Sequence, residues 1–108
     1  MFIDARIPVL LDPGDMLDAA VLIEGAAVPA GAIGTRFDLN PVHPPGCQCC
    51  VPRGPVADAL AALFTRRARG ELAFFRVVRA VGLSDAGREA VLDALANDPV
   101  ASARFRLG

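Results

Sequence analysis

Residues 7–24, with the sequence IPVLLDPGDMLDAAVLIE, contain two short apolar runs on either side of a turn. The runs are residues 7–11 and residues 19–23, and the intervening Asp-Pro-Gly-Asp is typical of a turn. Neither run alternates with polar residues, as the strands of a half-exposed antiparallel sheet do. Continuous apolar runs instead indicate strands that are covered on both faces. The stretch therefore predicts two strands of a mainly parallel sheet in an α/β protein.

A helix is predicted from Pro55 to the neighbourhood of Gly70. Proline suits the first position of a helix, because its fixed φ is helical and it has no N–H that would lack a partner. Apolar residues recur at helical spacing along one face of the segment, which is the pattern of a helix packed on a core. These residues are Val56, Leu60, Leu63 and Phe64.

The remaining segments complete an α/β pattern. Residues 74–81 predict a third strand, formed by Phe74, Phe75 and three valines and ended by Gly82. Ser84 suits the N-cap of a second helix, and Asp98-Pro99 begins a short last one. The buried stripe predicted for the second helix is Val91, Leu92 and Leu95. The sequence predicts one domain over residues 1–108, a small three-layer α/β sandwich with a three- or four-stranded, mainly parallel sheet and two or three helices.

Composition excludes several classes of function. Eleven basic and twelve acidic residues give a net charge of −1, so nucleic-acid binding is not expected. The only dense basic cluster, Arg66, Arg67 and Arg69, is interpreted as the solvated end of a helix rather than a phosphate site. No apolar run is long enough to span a membrane, and residues 1–11 lack the features of a signal peptide. We therefore expect a cytoplasmic protein without a membrane partner.

Residues 28–54 are rich in proline and glycine, and we expect them to form a long ordered loop with a function. The loop holds all three cysteines, Cys47, Cys49 and Cys50. Three thiols within four residues cannot staple a fold, so in a reducing compartment they indicate a metal or thiol site. Zinc accepts thiolate ligands in tetrahedral geometry. A fourth ligand could come from His43, Glu24, Asp38, water or a second chain. Thiol redox chemistry and plain packing of the cysteines remain alternatives.

Four sequence pieces resemble the middle of the CobW-type GTPases, a family of P-loop metal chaperones and metallocofactor-insertion proteins. Their order along residues 46–107 is that of the family. The pieces are GCQCC (46–50) with Arg53 behind it, the helix with Leu60 and Leu63 before Gly70, RVV (76–78) with GLSD (82–85), and DPV (98–100) with RFRL (104–107). The resemblance implies a reduced P-loop NTPase-like core and a metal ligand near the cysteines, for which Glu24 at the end of the second strand is favoured.

The departures from this family fall on the parts that bind nucleotide. All eleven basic side chains are arginine, so the lysine of a phosphate-binding loop is missing. Asp-Pro-Gly-Asp at residues 12–15 leads almost directly to the second strand, where the family has its glycine-rich loop and a helix. The chain also stops at Gly108, before a guanine-reading segment could occur. We expect no bound nucleotide and no catalysis.

Two functional hypotheses follow from the sequence. The first is a zinc-binding module related to CobW-type metal chaperones, with Cys47, Cys49 and Cys50 as ligands and Glu24 or His43 completing the set. The second is a degenerate GTPase fold that binds no metal and serves as an interaction or dimerisation protein. An open sheet edge would favour a homodimer, and a full-length CobW-type relative is the other expected partner.

Overall fold

The computed structural model describes residues 4–11, 14, 17–39 and 54–108. In these residues five strands and three helices follow one another along the chain. They are β1 (Ile7–Leu10), β2 (Ala19–Glu24), β3 (Gly34–Phe37), α1 (Pro55–Ala68), β4 (Val77–Val81), α2 (Asp85–Asn97), α3 (Pro99–Arg104) and β5 (Phe105–Leu107).

The strands form one sheet in the order β3-β2-β4-β1-β5, and every neighbouring pair is parallel. This arrangement confirms the α/β class and the parallel sheet, and it is consistent with a small three-layer sandwich. The sheet has five strands where the sequence predicts three or four, because neither edge strand has the apolar pattern of a strand. β3 has the sequence GTRF, without an apolar run, inside the segment 28–54 that was interpreted as a loop. β5 has only three residues and directly follows a helix.

The core lies between one face of the sheet and the helices. Side chains that alternate along the strands, such as Val9, Leu22 and Val78, are completely buried in a single cluster with residues of α1, α2 and α3. The crossovers from β3 to β4 and from β4 to β5 run in the same direction across the sheet, so right-handed connections place their helices on the same face. A third layer would lie on the opposite face, where Leu10 and Val81 are only half-buried.

The helices largely follow the sequence pattern. α1 begins at Pro55 and buries Val56, Leu60 and Leu63, as predicted. In α2 the predicted stripe is partly wrong, because Leu92 is 37% exposed and Ala94 takes its place in the core. No helix among the described residues has the length and apolar character needed to cross a membrane.

The third predicted strand starts later than the sequence indicates. β4 begins at Val77, and Phe74, which was assigned to this strand, is 65% exposed. The reason is the partner strand. β2 begins only after a turn in which Asp18 has a positive φ of 55°, and its first residue Ala19 is already opposite Val77. The N–H of Arg76 still donates to the carbonyl oxygen of Asp18 at 2.8 Å, but residues 74 and 75 precede the level at which β2 begins.

A polar cluster joins the beginning of β1 to the C-terminal end of the chain. The Arg6 side chain donates two hydrogen bonds to the Asp4 carboxylate, at 2.8 and 3.0 Å, and one of 3.2 Å to the carbonyl oxygen of Ser102. Arg106 lies 3.7 Å from the same carboxylate. The hydrogen bonds from the Arg6 side chain and from its backbone N–H, with the charges of Arg6 and Arg106, lower the pKa of Asp4 from 3.8 to about 2.

This shift predicts a pH dependence of folding stability. A carboxyl group whose pKa is lowered by folding stabilises the protein above its unfolded pKa, and the contribution is lost as the pH falls from about 4 to about 2. Urea unfolding should therefore show that the stability gap between the parent and Asp4→Asn narrows across this interval. A gap that is the same at pH 6 and pH 2.5 would show that Asp4 carries no folding-linked proton.

Candidate functional site

Glu24 ends β2 at the carboxyl edge of the sheet, and its carboxylate is bound by Ser84, a residue from the other half of the chain. The backbone N–H of Ser84 donates to Oε1 of Glu24 at 2.8 Å. The Ser84 hydroxyl lies 2.9 Å from both Oε1 and Oε2. The end of β2 is thereby fixed to the segment that connects β4 to α2.

The same serine caps α2. Its Oγ accepts a hydrogen bond of 3.0 Å from the backbone N–H of Gly87, as the sequence predicted for an N-cap. A Cβ on Gly87 would overlap Oε1 of Glu24 and lie 2.8 Å from its Cδ, so glycine is what allows the carboxylate to approach the helix. A negative charge is favourable there, because the N-terminus of a helix carries partial positive charge.

A cavity of about 270 Å³ opens beside this contact, at the carboxyl ends of β1 and β4. Its lining includes Leu11, Gly82, Ser84, Asp85 and Arg88. The chain leaves β1 and β4 in opposite directions across the sheet, which makes this the topological switch point. In open parallel sheets, ligands bind in the crevice at this position. The cavity offers a cation, a carboxylate and a helix N-terminus to a small polar ligand.

The predicted metal ligands fall mainly in a part of the chain that the structure does not describe. Cys47, Cys49, Cys50 and His43 all lie outside the described residues. Within residues 4–11, 14, 17–39 and 54–108, no three His, Cys, Asp or Glu side chains are grouped to hold a metal. Of the acidic candidates, Glu24 is bound by Ser84, and the carboxylate of Asp38 is 2.9 Å from the guanidinium of Arg36.

The strand register still relates Glu24 to the cysteine segment. Glu24 is opposite Phe37, the last residue of β3, and the N–H of Gly25 donates to the carbonyl oxygen of Phe37 at 2.9 Å. Residues 38 and 39 follow β3, and residues 40–53, which contain the cysteines, come next in the sequence before Gly54 and α1. Glu24 therefore lies beside the strand from which the chain enters the segment that contains the cysteines.

The contact between Glu24, Ser84 and Gly87 was not predicted, although one signal for it was present. Gly87 occupies the third position of α2, where glycine costs about 1 kcal/mol relative to alanine. A glycine at such a position indicates that another group approaches the helix closely. The sequence does not show which group this is, because Glu24 lies 60 residues before Ser84.

No protein-family model, no curated protein and no solved structure matches this chain. The similarity to the CobW-type GTPases therefore stays a prediction from the motifs in residues 46–107.

Replacing Ser84 with alanine should destabilise the protein by about 1–2 kcal/mol, since it removes the cap of α2 and the hydrogen bond that the hydroxyl donates to the Glu24 carboxylate. Ser102→Ala is the matched control, because the Ser102 hydroxyl makes one long hydrogen bond of 3.4 Å to the carbonyl oxygen of Pro99. Chemical denaturation measures the free energy of unfolding of the parent and of both variants. Equal losses of unfolding free energy in the two variants would contradict the role of Ser84 as the cap of α2 and the partner of Glu24.

Proposed function

We propose that this chain is a non-catalytic zinc-binding module related to the CobW-type metal chaperones. Cys47, Cys49 and Cys50 supply three thiolate ligands, and Glu24 or His43 completes the set. Thiolates bind zinc only while they remain reduced, so the proposal includes a cytoplasmic location.

The observation that carries the proposal is the in-register pairing of Glu24 with Phe37. Because of this pairing, Glu24 at the end of β2 lies next to β3, and β3 is the strand after which the chain continues into the cysteine segment. The hydrogen bonds from Ser84 are compatible with ligation, because carboxylates that bind metals are themselves commonly held by a second group that orients them.

The absence of nucleotide chemistry is part of the proposal and rests on the sequence. There is no lysine to bind a phosphate group. The connection from β1 to β2 spans residues 11–18, too few for a phosphate-binding loop followed by a helix. Metal binding without nucleotide-driven transfer fits a storage or delivery module that passes its metal to a partner.

Elemental analysis of protein purified without a chelator or a histidine tag tests the proposal. We expect nearly one zinc ion per chain in the parent and none in a variant with Cys47, Cys49 and Cys50 all replaced by serine. Glu24→Gln and His43→Gln should distinguish the two candidates for the fourth ligand, since only the true ligand lowers zinc affinity. Glu89→Gln is the matched control, because Glu89 is exposed on α2 and is not a candidate ligand. A parent that stays metal-free and equally stable when zinc is added under reducing conditions would overturn the proposal.

The second candidate function is an interaction protein, and the exposed edges of the sheet favour it. β3 and β5 each pair on one side only among the described strands, so their outer backbone groups are open to another chain. A second copy or a full-length CobW-type relative would be the partner. Light scattering of the metal-free parent and the triple serine variant separates the hypotheses, because a dimer that survives without zinc supports this second candidate.

A further inference from the structure

A cleft of about 510 Å³ lies between the residues before β1, the C-terminal part of α1 and the end of α3. Five side chains with polar or aromatic groups line it: Asp4, Arg6, Phe64, Arg67 and Arg104. Three arginines and one aspartate give this lining a net charge of +2 in a protein whose overall charge is −1. The cleft is remote in the fold from the carboxyl end of β2, where Glu24 lies.

Arg67 is held in the cleft by aromatic rings and not by an anion. Its guanidinium carbon lies 4.1 Å from the ring centre of Phe74 and 5.3 Å from that of Phe75. The Nε atom of Arg67 is buried and has no hydrogen-bond partner among the described residues. Stacking positions the planar cation and leaves its N–H groups without a protein acceptor there.

Arg104 is held in the same way, by the ring of Phe64. Its guanidinium carbon lies 4.3 Å from the ring centre of Phe64, and among the described residues its side chain makes no hydrogen bond or ion pair. Arg6 differs, because it is engaged by Asp4 and by the carbonyl oxygen of Ser102. Asp4 in turn is neutralised by Arg6 and Arg106, so it does not supply an anion to Arg67 or Arg104.

We propose that this cleft binds the phosphate group of a small phosphate monoester, with Arg67 and Arg104 as the two cations. Guanidinium groups match phosphate oxygens with parallel N–H donors, and stacked arginines lose little freedom when they bind. A smaller cavity of about 100 Å³ shares Phe64 and Arg104 with the cleft and is lined by Val100 and Phe105. The ligand therefore carries an apolar group next to its phosphate.

This site changes the interpretation of one residue from the sequence. Arg67 belongs to the basic cluster at the end of α1, which by itself indicates only a solvated helix terminus. Arg104 lies 37 residues further along the chain, and the fold brings both arginines to one cleft. The proposal rests on this pair and is independent of the zinc-binding function.

The test is calorimetric titration of the parent with inorganic phosphate and, separately, with phenyl phosphate. We expect saturable binding of both, with phenyl phosphate tighter because its ring enters the apolar cavity. Arg67→Gln and Arg104→Gln should each weaken binding by about tenfold or more, the size expected for a lost charge-assisted hydrogen bond. Arg69→Gln is the matched control, because Arg69 follows the same helix and lies 3.8 Å from Glu71, outside the cleft.

Several outcomes would overturn the proposal. These are no saturable binding to the parent, equal weakening by Arg69→Gln, and full affinity in both glutamine variants. Equal affinity for phosphate and phenyl phosphate would overturn the part that concerns the apolar group. Arg67→Lys is a second variant that should remain folded, since lysine keeps a cation over the rings of Phe74 and Phe75. A folded Arg67→Lys variant should bind phosphate more weakly than the parent, and unchanged affinity would contradict the paired-donor geometry.

Discussion

Replacing Phe105 with alanine is expected to remove a large part of the folding stability of the protein. Phe105 is fully buried, and its ring meets that of Phe64 edge to face with the ring centres 6.3 Å apart. Removal of a buried phenyl group costs about 3–5 kcal/mol through lost burial and the cavity that remains. A domain of this size has a total stability of only about 5–15 kcal/mol. Circular dichroism during urea titration measures the loss.

Leu107→Ala is the matched control for this experiment, because Leu107 lies on the same three-residue strand and is 51% exposed. Its replacement should cost about 1 kcal/mol or less, since most of its surface already contacts water. If both variants lost the same stability, the effect would come from the strand and not from the core position of Phe105.

Gly34→Ala is expected to separate the edge strand β3 from β2. A Cβ at this position would overlap the carbonyl oxygen of Val21 and lie 2.8 Å from its backbone nitrogen. These are backbone atoms of a central strand, so no side chain can rotate away to make room. We expect a loss of about 3 kcal/mol or more. Hydrogen exchange should show faster exchange at Val21, whose N–H donates to the carbonyl oxygen of Ile33 at 2.8 Å.

Gly25→Ala provides the comparison for Gly34. Gly25 has a left-handed φ of 70°, but nothing lies within 4 Å of a Cβ built on it. Its replacement should therefore cost only the conformational penalty, about 1 kcal/mol. The two variants separate steric overlap from backbone conformation. If Gly34→Ala lost no more unfolding free energy than Gly25→Ala, β3 could shift to make room for the Cβ without loss of the sheet.

Much of the fold can be predicted from the sequence, because the strongest patterns are local. The continuous apolar runs predicted β1 and β2, and the spacing of Val56, Leu60 and Leu63 predicted α1. The patterns fail where tertiary pairing decides the structure. The GTRF sequence of β3 becomes a strand because β2 offers it a partner. Phe74 is aromatic and β-prone, yet it lies outside β4 because β2 has not begun at that level of the sheet.

The candidate sites also combine residues that local patterns single out with contacts that only the tertiary fold creates. Glu24 could be selected because it ends an apolar run, and Ser84 because it precedes a helical pattern. That the two residues bind each other depends on the placement of β4 between β2 and β1, which no local pattern encodes. The cleft of Arg67 and Arg104 escaped prediction for the same reason, since each arginine alone has the sequence context of a helix end.

The position of β1 in the sheet determines the order in which the protein can fold as it is synthesised. β1 has only β4 and β5 as neighbours, so Ile7 meets its partner Phe105 across 98 residues of chain. β2 and β3 can pair early, whereas β1 has no strand partner until β4 has been synthesised, and Ile7 has none until β5 has been synthesised. Such long-range pairings slow folding. Until then the apolar β1 is unpaired, and transiently unpaired apolar strands are prone to aggregate with other chains.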